Sequence, residues 1–97
     1  MTMVNVTQKT DWEGRTITLT WIPCAKADLP KYQPITQVYC ICFDALGQIL
    51  ITNAGGKDRW TIAGGHPNPG ESLIETMGRE LIEEADVTIK DPMFLGV

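Results

Sequence analysis

Four glutamates, Glu75, Glu80, Glu83 and Glu84, fall within ten positions around a single arginine, Arg79, just after a glycine-rich loop. Glu80 and Glu84 lie one helical turn apart and Glu83 sits beside them, so a helix here brings three carboxylates onto one arc. Carboxylates that close repel, and one would hold a proton unless a cation intervened. Oxygen-only ligands suit hard ions, which makes Mg²⁺ or Mn²⁺ the expected occupant. The competing reading is a solvated helix on which Glu75 pairs with Arg79 at i, i+4.

The elements that must position these residues are legible nearby. Pro69-Gly70 is a turn signal. Ser72 followed by Glu75 is a capping box, which predicts Ser72 as the N-cap of a helix. Leu73, Ile74, Met77, Leu81, Ile82 and Ala85 then recur at helical spacing, as one apolar stripe centred near Leu81. Glu80, Glu83 and Glu84 fall to one side of that stripe, with Glu80 and Glu84 at its margin.

The stretch from Gly65 to Val87 reads G-H-P-N-P-G-E-S-L-I-E-T-M-G-R-E-L-I-E-E-A-D-V. It resembles the Nudix box, G-x5-E-x7-R-E-U-x-E-E-x-G-U with U a bulky aliphatic residue. Gly65, Glu71, Arg79, Glu80, Leu81, Glu83, Glu84 and Val87 are in register with it, and Asp86 stands where the family has glycine. Upstream, Trp60 to Gly65 is similar to the family's W-x-U-P-G-G approach, with Ala63 in place of proline. The resemblance runs from about Gln37 to the last residue.

The resemblance implies an α+β fold, an α/β/α sandwich with a mixed sheet on which the box helix packs, and a single domain over residues 1–97. It also implies C-terminal strands and a second helix that this chain is expected to lack. It implies a hydrolase that cleaves the pyrophosphate bond of a nucleoside diphosphate linked to another moiety, whose identity the residues leave open. In that reading Glu80, Glu83 and Glu84 hold the metal with the Gly64 carbonyl, and one of these glutamates acts as base. Arg79 pairs with Glu71 and pins the loop against the helix. The alternative is a catalytically silent module of the same fold that binds a nucleotide or a protein partner.

Composition narrows the partners. Ninety-seven residues make one small domain with a modest core. The formal net charge of −4, with no basic stripe, disfavours a nucleic-acid polymer. A phosphorylated small molecule is still admissible, because bound cations reverse the local charge. No basic-then-apolar leader and no apolar run of about 18 residues occurs, so neither secretion nor membrane insertion is expected. Cys24, Cys40 and Cys42 lack metal-type spacing and are expected as reduced thiols, consistent with a cytoplasmic setting.

The remainder reads as scaffold. Residues 16–22 alternate, with Ile17, Leu19 and Trp21 on one face, as a half-buried strand. Residues 23–34 form a loop broken by three prolines. Residues 38–43 are continuously apolar and predict a central strand. A turn at residues 44–47 leads into 48–53 as a hairpin, Gly55-Gly56 is a loop, and 59–62 is a short strand. Residues 87–89 and 93–97 read as strands around Asp91-Pro92. The last of these has no partner following it in sequence, which leads us to expect either a homo-oligomer joined at that edge or a longer protein that completes the sheet. His66 either faces solvent or touches phosphate, and Trp60 either stacks on a base or belongs to the core. Lys57 and Arg59 either steer a phosphorylated substrate or are simply solvated.

Overall fold

A computed structural model describes residues 5–53 and 58–97. The Gly55-Gly56 loop and Lys57 lie outside these. The described chain divides into two compact units, one running up to Gln33 together with Met93–Val97, the other covering Pro34–Pro92.

In the first unit, strand β1 (Val6–Trp12) pairs antiparallel with β2 (Arg15–Trp21), in a register that sets Val6 opposite Trp21 and Trp12 opposite Arg15. The two-residue connection has positive φ at both Glu13 (48°) and Gly14 (78°). That twist matches the right-handed twist of paired strands, and glycine accepts it without strain. β2 forms where the alternation predicts a strand, but of the expected inner face only Ile17 is partly covered, while Leu19 is 53% exposed and Trp21 41%. A 3₁₀ helix over Lys26–Tyr32 occupies part of the proline-broken loop. Asp28 accepts from the Ala25 amide at 3.2 Å and from Lys31 Nζ at 3.1 Å.

Residues 93–97, expected as a strand, form none, but through a single bridge they do pair with a segment earlier in the chain. Ile22 and Val97 exchange backbone hydrogen bonds of 2.7 and 3.0 Å, and Pro23 bridges Gly96. The edge expected to be free at Met93–Val97 is therefore at least half satisfied from within.

In the second unit, β3 (Val38–Cys40) pairs antiparallel with β4 (Ala63–Gly65), placing Val38 opposite Gly65 and Cys40 opposite Ala63. The apolar run at 38–43 thus yields three residues of strand in a two-stranded sheet rather than a central strand. Past Cys40 the chain turns into the expected hairpin, held by the single bridge of Phe43 to Ile49, and a separate bridge joins Thr52 to Thr61. The turn is held by Asp44, whose Oδ1 accepts from the Leu46 and Gln48 amides at 2.8 and 2.9 Å, with Gly47 at φ 76°. Residues 59–62 contribute only the Thr61 bridge, and 87–89 form no strand.

Helix α1 (Leu73–Ala85) packs on β4 and β3. Its N-terminus is the predicted capping box: the Glu75 amide donates to Ser72 Oγ and the Ser72 amide to Glu75 Oε1, both at 3.1 Å. Leu81 is fully buried and Met77 is 6% exposed, yet Ile74 and Ile82 are more than half exposed. The covered stripe is narrower than the apolar one, because two short strands cannot span the helix face. Among the described residues no helix is long and apolar enough to cross a membrane.

The helix ends at Asp86 in the left-handed conformation (φ 54°, ψ 41°), its amide donating to the Ile82 carbonyl at 3.1 Å. A Cβ is strained there and glycine is not. Asp86→Gly is expected to be neutral or stabilising by on the order of 1 kcal/mol or less, the relief of strain being offset by the freedom glycine adds to the unfolded chain. Urea denaturation measures it, and a clear destabilisation would mean that the Asp86 carboxylate makes a contact of its own.

Candidate functional site

β4 delivers Gly64 and Gly65 to the foot of α1, and residues 66–71 carry the chain over to Ser72. Pro67 and Pro69 fix φ in this crossing, and Gly70 turns it at φ 79°. The Glu71 amide then donates to the Asn68 carbonyl at 3.0 Å, and the Asn68 amide returns a bond to Glu71 Oε1 at 3.0 Å. This reciprocal turn points Glu71 back along the helix.

Arg79 receives it. Its Nε donates to Glu71 Oε2 at 2.8 Å and its Nη2 to Glu71 Oε1 at 3.0 Å, the two-pronged geometry that a planar guanidinium offers a carboxylate. Nη2 also donates to the His66 carbonyl at 3.0 Å. Nη1 donates to Glu80 Oε1 at 2.8 Å and to Glu83 Oε2 at 3.4 Å. One arginine thereby joins the loop at both ends to two acids of the helix. Glu71 and Glu80 are largely enclosed, with side chains 14% and 15% exposed, whereas Glu83 is 57% exposed. The i, i+4 pairing of Glu75 with Arg79 is absent, since Glu75 is committed to the cap.

The Arg79 fork holds the Glu71 carboxyl well below the ordinary glutamate range, at about 2, helped by the Asn68 amide and the Thr76 hydroxyl. Because folding lowers this group's affinity for a proton, the contribution it makes to stability is whole above about pH 5 and drains away as pH falls from about 4.5 towards 2. Glu71→Gln is expected to be less stable than the parent chain at pH 7, with the gap narrowing steadily below pH 4.5. Urea midpoints across that range measure it; an equal gap at pH 3 and pH 7 would break the link.

Glu84 faces elsewhere. Its Oε2 accepts from Thr52 Oγ1 at 3.4 Å, and Thr52 is 5% exposed. Among the described residues, no three histidine, cysteine, aspartate or glutamate side chains converge on one point. Arg79 neutralises part of the charge of Glu80 and Glu83, and Glu84 has turned to the threonine. The donor chemistry nonetheless fits a hard divalent cation: all three helix acids offer oxygen, and one guanidinium faces Glu71, Glu80 and Glu83 together, which leaves the cluster net negative.

Both glycines of β4 are required by close approach. A Cβ on Gly65 would fall on Cγ, Cδ and Oε1 of Glu80, and one on Gly64 would fall on the Tyr39 ring. Gly64 thus sits in the strand beside the acids, under an aromatic ring that covers the gap its missing side chain leaves. His66 is exposed and enters through its carbonyl alone, and Trp60, 60% exposed, belongs to no core.

Two residues of this network had not been singled out from the sequence. Thr76 is fully buried, and its hydroxyl lies 2.8 Å from Glu71 Oε1 and 3.0 Å from the Ser72 carbonyl. Thr52 orients Glu84. The available signal for Thr76 was its place one turn after Ser72, beside Met77, a polar group set at the edge of the apolar stripe.

Residues 33–97, more than half of the chain, match the family model described as the NUDIX domain. No curated protein and no solved structure gives a significant match.

Proposed function

Since the chain belongs to the Nudix family, whose members are in general hydrolases that use divalent metals, we propose that it hydrolyses the pyrophosphate bond of a nucleoside diphosphate linked to a second moiety. The observation that supports this most is the Arg79 fork, which locks the Gly65 to Glu71 loop onto the helix that carries Glu80, Glu83 and Glu84. A diphosphate resists attack because its own oxygens repel a nucleophile. Glu80, Glu83 and Glu84, with the Gly64 carbonyl, would hold Mg²⁺ or Mn²⁺, which supplies charge neutralisation and Lewis acidity at those oxygens when bound.

The protein's own share is positional. Glu71 keeps Arg79 in place and Arg79 holds Glu80 against the loop. Thr52 restrains Glu84, and Gly65 leaves the space that Glu80 fills. One of the three glutamates Glu80, Glu83 and Glu84 would also accept the proton of the attacking water. The finer architecture, an α/β/α sandwich built on a mixed sheet, forms part of the same proposal, as does a small-molecule partner in place of a nucleic-acid polymer.

The test is a panel of nucleoside diphosphate derivatives incubated with Mg²⁺ or Mn²⁺, with release of the two phosphorylated products as readout. Metal-dependent release supports the proposal; saturable binding without release would favour the silent module. Gly65→Ala bears on the same point. The displaced atoms are the far end of a flexible side chain, so the chain should fold with Glu80 pushed aside. Turnover is expected to drop by about 100-fold, the usual consequence of misplacing a reacting group by an ångström. Far-ultraviolet circular dichroism on the same sample checks that the fold is kept.

A further inference from the structure

Cys40 and Cys42 stand apart from the acidic cluster and have no role in it. Cys40 closes β3 and Cys42 follows two positions later, so in extended backbone both side chains leave on the same face. Their sulfurs lie 3.2 Å apart, one thiol donating to the other. An extended i, i+2 pair separates its Cα atoms by about 6.5 Å, at the upper end of the span that a disulfide accepts, and the short sulfur–sulfur distance shows the two side chains already leaning together. The two thiols differ in access. Cys42 lines a groove of about 390 Å³, with Phe43, Asp44, Gln48 and Val87 around it. Cys40 does not, and burial, with the neighbouring Cys42 sulfur, pushes its thiol up to about 11. All three cysteines of the chain are free, and Cys24 belongs to the other unit.

We propose that Cys40 and Cys42 form a redox-active dithiol, a modification site at which a low-molecular-weight disulfide entering the groove is reduced as the pair closes to an intramolecular disulfide. Cys42, as thiolate, attacks one sulfur of the incoming disulfide; a mixed disulfide forms and one thiolate leaves. Cys40 then gives its proton to solvent and its sulfur attacks Cys42, which expels the second thiolate. Two electrons pass from the cysteine pair to the small disulfide, giving one protein disulfide and two small thiols. The high affinity of Cys40 for its proton makes it the resolving rather than the entering thiol.

The experiment exposes the full chain to oxidised glutathione, blocks remaining thiols with iodoacetamide, and maps peptides by mass. The peptide that carries Cys40 and Cys42 is expected to be lighter by two hydrogen atoms and to take up no alkyl group, while Cys24 is alkylated. In Cys40→Ser the reaction should stop at a glutathione adduct on Cys42, and in Cys42→Ser adduct formation on Cys40 should be markedly slower. Alkylation of both Cys40 and Cys42 in the treated parent chain would overturn the proposal, as would a bond from either to Cys24. The mapping of the parent chain decides the matter even if a serine variant fails to fold.

Discussion

Glu84→Gln is expected to lose turnover by about 1000-fold or more while leaving the fold intact. Glutamine keeps an oxygen that can accept from the Thr52 hydroxyl, now 3.4 Å from Glu84, so the packing beneath the helix survives. What it loses is a full negative charge, one of three with which the helix would hold a cation that contributes several kcal/mol at the developing charge. The second readout is thermal. If the wild-type chain binds Mg²⁺ or Mn²⁺ in this cluster, saturating metal stabilises it by mass action, by about 2.7 kcal/mol at about 100 times Kd. That rise in Tm should shrink sharply in Glu84→Gln. A wild-type Tm that ignores excess metal would remove the ground for the prediction.

Arg79→Ala should have the largest effect on the fold. The guanidinium serves four acceptors at once, namely the carboxylates of Glu71, Glu80 and Glu83 and the His66 carbonyl. Its loss leaves two largely enclosed carboxylates next to each other with no countercharge, the costly half of a broken ion pair. The variant is expected to melt far below the parent and to recover part of the loss in excess Mg²⁺ or Mn²⁺, when a cation replaces the lost charge. Arg79→Lys should recover little, since an ammonium on a flexible stem cannot present two parallel donors to Glu71 while reaching Glu80. Circular dichroism melts with and without metal measure both, and an Arg79→Lys chain as stable as the parent would show that charge alone suffices.

The parts of this molecule that could be read from the sequence are those whose signals are local. Ser72 and Glu75 announce the helix start because a capping box is complete within four residues. Leu81 is the centre of the buried stripe because α-helical periodicity is set by the backbone alone. What failed depended on the neighbours an element meets. Residues 38–43 look like a central strand, but the ladder with β4 ends at Cys40, and beyond it the chain pairs only through single bridges. Ile74 and Ile82 belong to the apolar stripe and remain exposed, since nothing in their own spacing reveals what will cover them. β1 went unnoticed because Glu13-Gly14 is an unusual hairpin turn: a glutamate at φ 48° stands where asparagine or aspartate is preferred. In the site, the residue types and the Nudix-like spacing marked the acids, but not that Thr52 and Thr76 would orient them.

The loop-and-helix network also bears on how the chain folds. The bonds from Asn68 to Glu71, Ser72 to Glu75, Thr76 to Glu71, and Arg79 to Glu71 and His66 all close within residues 66–80. The β3–β4 ladder must bring Cys40 to Ala63 across a longer stretch of chain. Closing short loops costs little entropy, and contacts of low sequence separation form early. The part of the cradle built around Arg79 and Glu71, though not the Thr52–Glu84 contact, is thus expected to assemble in the fast, local part of folding, ahead of the β3–β4 ladder. Substitutions within that part should therefore slow refolding more than they hasten unfolding.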